Sequence, residues 1–121
     1  MNAPVRPAEA KALVAFANTA WDERIVPALT EYIGIPAKSP MFDADWAGQG
    51  YIDRVVRDAA AWVEGRKLPG LTLEVVRIEG RTPVIFFEWP ASGTSSTDTV
   101  LLYGHLDKQP EFNGWRNDLG P

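Results

Sequence analysis

The sequence predicts an α/β fold, and three observations predict it. Apolar residues recur at three- and four-residue steps through two stretches of the first half. From Leu71 the period changes to two, through two short runs. An unbroken apolar run, "TVLLY", then stands between a polar stretch and a glycine. Steps of three and four mark one face of a helix and steps of two one face of a strand. A short apolar run bounded by turn residues fits a strand covered on both faces.

Residues 1–7 hold two prolines and no period, so they read as a flexible lead-in. From Ala8 the pattern is helical, with Leu13, Phe16, Ala17 and Ala20 on one face. Apolar positions return at Ile25, Val26, Leu29 and Ile33. Pro27 has no N–H to donate, so it either kinks one long helix or opens a second at its first turn. Gly34 and Pro36 end the helical stretch. Residues 35–46 form an ordered loop, in which Ser39 is a turn residue and Asp45 caps the next helix. That helix spans residues 46–64. Its apolar face is Ile52, Val55, Val56, Ala59, Ala60 and Val63, with Asp53 and Arg57 paired on the other side. Gly65 stops it. Trp21, Trp46 and Trp62 are expected in the core.

A strand follows over residues 71–79. Leu71, Leu73 and Val75 alternate with Thr72 and Glu74, until Val76 breaks the pattern. Residues 79–82 read as a turn and residues 83–89 as a second strand, which together make a hairpin. Residues 90–98 form a polar loop. Its "SGTSSTD" lacks the glycine spacing and lysine of a phosphate loop. Residues 99–103 are the third strand, and the remainder is loop.

The 121 residues fit one domain. The net charge is −4 and no basic stripe appears, which argues against a nucleic-acid partner. With no cysteine there is neither a disulfide nor a thiolate metal site. No run is long enough to span a membrane, and the N-terminus lacks a signal peptide's apolar stretch. The expected location is the cytoplasm.

His105 is the single histidine of the chain. It emerges directly after the apolar run and Gly104, at the strand end where open α/β sheets bind ligands. In extended chain, residues 105 and 107 project to one face. Asp107 can then accept a hydrogen bond from one ring nitrogen and leave the other free for a metal. Taken alone, such a pair is more often a hydrogen-bonded structural contact, or simply exposed, than a metal site. Asp43, Asp45, Asp53 and Asp58 read as caps and solvated surface.

The string around His105 is longer than two residues. It runs apolar strand, Tyr-Gly-His-Leu-Asp, two residues, proline, then Gly-Trp. This resembles the first metal motif of the dinuclear zinc exopeptidases, which include carnosinases, glutamate carboxypeptidases, aminoacylases and succinyl-diaminopimelate desuccinylases. Upstream, "VPALTEYIGIPAKSPMFDADW" is similar to the family's N-terminal helix and Ile-Pro-x-x-Ser loop. The order of elements also fits, and the likeness is greatest to the carnosinase-like dipeptidases. Lys108 departs from the pattern, since many relatives carry an apolar residue there.

The resemblance implies that residues 1–121 are the N-terminal portion of a three-layer αβα catalytic domain. Two or three helices would precede three strands of an incomplete sheet, and the lid and dimerisation domain is absent. The implied activity is a metallopeptidase that hydrolyses dipeptides or N-acyl amino acids through a water activated by two zinc ions. Cobalt and manganese are alternative metals. His105 matches the first zinc ligand and Asp107 the catalytic aspartate that orients it. The family's other ligands and its glutamate base have no counterpart, so the chain as given is expected to be inactive and prone to self-association. A longer form is expected to be a homodimer. Two rivals stay open: a complete, non-catalytic αβ binding or interaction module, and a small mononuclear metal protein built on His105 and nearby carboxylates.

Overall fold

The computed structural model describes residues 6–91 and 98–119. The lead-in before Arg6 and the "SGTSST" part of the polar loop lie outside the described residues. The chain divides into two compact units, Met1–Ile35 and Pro36–Pro121.

The first unit is helical. Helix α1 spans Pro7–Ala20, with proline in its first turn. Glu9, at the third helical position, accepts the Arg6 backbone N–H at 3.1 Å. It also binds the Arg6 guanidinium, with Nε at 3.0 Å. One orphan N–H of the helix start is thereby satisfied. A π-helical turn, Trp21–Ile25, follows, in which the Val26 N–H donates to the Trp21 carbonyl five residues back. Helix α2, Val26–Ile33, begins there with Pro27 in its first turn. The proline explains the π turn. Its ring would crowd the carbonyl four residues back, and it brings no N–H, so the ladder widens just before it. Helix α1, the π turn and helix α2 follow one another without a gap. Leu13 and Phe16, expected on a buried face, stay exposed, while Ala20 is buried. The Arg24 guanidinium covers the Phe16 ring at 5.7 Å.

The second unit holds the sheet. Helix α3 is one turn, Trp46–Gln49, and α4 spans Tyr51–Glu64. The single helix expected over residues 46–64 is therefore two. Gly50 separates them at φ 71°, a left-handed conformation that a β-carbon disfavours. Asp45 takes the N-cap position of α3, but its side chain makes no cap bond. Its own N–H donates to Asp43 Oδ1 at 3.1 Å.

Strands β1 (Thr72–Val76) and β2 (Val84–Glu88) form the expected antiparallel hairpin, with Val75 opposite Ile85 and Leu73 opposite Phe87. Gly80, at φ 70°, and a bond from the Arg81 N–H to the Ile78 carbonyl shape the connection. Trp89 ties the far end by donating from Nε1 to the Pro69 carbonyl at 3.0 Å. Helix α4 lies against both strands. Its buried residues are Ile52, Val55, Val56 and Ala60, at steps of three and four, and with Ala37 they form this unit's core. Ala59 and Val63 are half-buried at the margin.

Three further expectations need correction. The third strand does not form: residues 99–103 run without turn or bend but join no ladder among the described residues. A strand needs a neighbour to exchange hydrogen bonds with, and apolar character alone does not provide one. Asp53 pairs not with Arg57 but with Arg77 at 2.6 Å, because β1 delivers that guanidinium alongside α4. Trp21 and Trp62 are largely exposed, and Trp62 stacks under Arg66 at 4.5 Å. The fold is thus mixed α and β, with one two-stranded antiparallel sheet among the described residues. Among the described residues no helix is long and apolar enough to cross a membrane.

Candidate metal-ligand site

The stretch around His105 belongs to the second unit and is anchored from one side. Lys108 donates its backbone N–H to the Ala37 carbonyl at 2.8 Å, and the Ser39 N–H donates to the Lys108 carbonyl at 2.9 Å. These two bonds make an isolated parallel bridge between Lys38 and Lys108. Ser39 is also a turn residue, since its carbonyl accepts the N–H groups of Phe42 and Asp43. The Ile-Pro-x-x-Ser loop and the His-x-Asp segment are thereby stitched together across about seventy residues of chain. Sequence reasoning did not foresee this contact. Backbone pairing leaves no mark in side-chain identity, although both pieces belong to the pattern that suggested the family.

Three residues before the bridge, His105 Nδ1 lies 3.0 Å from the Asp107 carbonyl oxygen and 3.1 Å from Asp107 Oδ1. Both oxygens are acceptors, so Nδ1 is the donor, and in the neutral ring Nε2 carries the lone pair. The imidazole is 69% exposed and the carboxylate 35%. The structure therefore brings the two predicted residues together. A histidine held in this way can offer Nε2 to a metal or to a proton donor. Among the described residues, no three histidine or carboxylate side chains are grouped so as to hold a metal. The donor set fits one ligand with its orienting partner. Next along the chain, partial burial lowers the pKa of the Lys108 ammonium below its usual value.

Two grooves lie away from His105. An open groove of about 420 Å³ runs between α4 and β1, with Val56, Ala60 and Val75 in its lining and Arg57 and Glu64 among its charged residues. A smaller one of about 230 Å³ lies beside Trp46 and Pro83. The Asp53–Arg77 pair lines both grooves, and His105 lines neither. No protein-family model matches the chain, and no curated protein matches it. What the fold and site define is an α/β chain with an exposed, carboxylate-oriented histidine.

Proposed function

We propose that this chain is the N-terminal part of a zinc-dependent metallopeptidase, in which His105 is one ligand of a two-metal centre. The observation that carries the reading is the geometry at His105. Asp107 accepts from Nδ1, and the imidazole is largely exposed after an apolar run. This is the arrangement in which a carboxylate holds a metal-binding imidazole. In the whole enzyme the sheet would continue, and small dipeptides or N-acyl amino acids would be cleaved. The metal ions would polarise the scissile carbonyl and acidify a water. Among this chain's own residues, His105 would bind one ion and Asp107 would orient the ring. Zinc fits an imidazole ligand, with cobalt and manganese as alternatives.

The test has two arms. In the first, zinc is titrated into the 121-residue chain while the imidazole nitrogens are followed by NMR. Nε2 is expected to shift with an affinity no tighter than roughly micromolar, given one direct ligand. A nanomolar site, or zinc at Nδ1, overturns the assignment. In the second arm the coding sequence is read past Pro121. Further carboxylates and a second histidine, with chelator-sensitive dipeptide hydrolysis lost in His105→Ala, support the reading. A genuine stop codon there favours the interaction module.

A further inference from the structure

Asn113 is the one asparagine of the chain that is followed by glycine. It sits at a bend in exposed chain, flanked by Phe112 and the pair Gly114–Trp115. Among the described residues, neither the Asn113 side chain nor the Gly114 N–H has a hydrogen-bond partner. Gly114 stands at φ 81°, and a β-carbon added there would meet nothing within 4 Å. The side-chain amide and the next backbone nitrogen are thus open to water and to each other. The other two described asparagines are placed differently. Asn18 lies inside α1, where the next N–H belongs to the helical ladder. Asn117 precedes the larger Asp118, in a turn closed by the Leu119 N–H on the Arg116 carbonyl at 2.9 Å.

We infer that Asn113–Gly114 is a site of spontaneous covalent modification, where the chain converts its own asparagine to aspartate and isoaspartate. This does not depend on His105 binding metal. Hydroxide removes the Gly114 amide proton, and that nitrogen attacks the Asn113 side-chain carbonyl carbon, Cγ. The new bond closes a five-membered succinimide. The bond from Cγ to Nδ2 breaks, and Nδ2 takes a proton from water and leaves as ammonia. A water molecule then opens the ring. Attack at Cγ restores the ordinary backbone with an aspartate. Attack at the main-chain carbonyl leaves Gly114 joined through Cγ, as isoaspartate. The net reaction consumes water and releases ammonia, and nothing is oxidised or reduced. Glycine suits the second position because no side chain crowds the attacking nitrogen and its backbone turns freely. Either product adds a negative charge to a chain whose net charge is −4. The isoaspartate form also inserts a carbon into the backbone just before Gly114 and Trp115.

The test is to incubate the intact chain in mildly alkaline buffer, with circular dichroism confirming that the helices persist, and then to digest it with trypsin. Cleavage after Lys108 and Arg116 isolates residues 109–116, in which Asn113 is the only asparagine. Mass spectrometry should show this peptide changing from amide to acid in two forms, one of them a substrate for an isoaspartate methyltransferase. The conversion should quicken as pH rises, because hydroxide starts it. It should be lost in Asn113→Gln. Gly114→Ala, which crowds the attacking nitrogen, should slow it about tenfold, a barrier change of about 1.4 kcal/mol. A synthetic peptide of residues 109–116 sets the rate of a fully open site, and the folded chain should stay within about tenfold of it. A slower chain means that the fold shields Asn113, and overturns the proposal. So does earlier conversion at Asn18 or Asn117, or a rate that does not change with pH.

Discussion

Asp107 offers His105 two acceptors, its carboxylate and its own carbonyl, and the Nδ1 proton can be shared between them. Removing the carboxylate therefore leaves the tautomer biased but the ring less firmly held. Asp107→Ala is expected to weaken zinc binding about 10–100-fold, the usual effect of losing an orienting partner, and His105→Ala to abolish it. Calorimetry on the three proteins checks this, and equal affinities would remove both roles. A second residue couples pH to the fold. The Arg6 side chain and backbone N–H hold the Glu9 carboxyl below its ordinary pKa of 4.5. Because the folded value is depressed, its support for the start of α1 is complete above the ordinary value and is lost as pH falls through the lowered one. Circular dichroism should show a small loss of helix in that window. Glu9→Gln should lack that step and start with slightly less helix.

At the scale of elements, α4 and the turn before it carry the stability of the second unit. Val55 is 1% exposed, and truncating it to alanine should cost about 1–3 kcal/mol in a denaturant melt. Leu13, 60% exposed on α1, should change stability by less than about 0.5 kcal/mol when truncated. Gly50 is a different kind of site. Nothing crowds its position, so only the backbone conformation resists a side chain. Gly50→Ala should cost about 1 kcal/mol, and Gly50→Asn less, since asparagine tolerates the left-handed region. Equal losses for both would point to a contact rather than to φ. The element pattern was legible where a face is buried. Positions 52, 55, 56 and 60 could be read directly from their spacing. The break at Gly50 was not, because an isolated glycine in a helical pattern does not announce its φ.

Across the whole molecule, covered and uncovered apolar surface are unevenly distributed. Each exposed large apolar side chain forgoes about 1.5–3 kcal/mol of burial. Four in a row, at 100–103, are comparable to the whole stability of a small domain, about 5–15 kcal/mol. The isolated chain should therefore melt low and bind a hydrophobic dye. Hydrogen exchange should find the strongest protection in α4 and the β1–β2 hairpin, and almost none over residues 99–104. A monomer that binds no dye and melts cooperatively above about 65 °C would contradict this.

By itself the sequence determined the helical stretches (though not the break at Gly50), the hairpin and the pairing of His105 with Asp107. These depend on periodicity, proline and glycine placement, and neighbours two residues apart, all of which are local. Tertiary structure alone decided that Arg77 rather than Arg57 meets Asp53, and that Ala37 and Ser39 clasp Lys108. It also decided that residues 99–103 join no ladder among the described residues. Each of these turns on which backbone or side chain arrives from a distant part of the chain. Hydrophobic pattern can say that a segment seeks a partner, but a ladder exists only where another strand's N–H and C=O groups reach it.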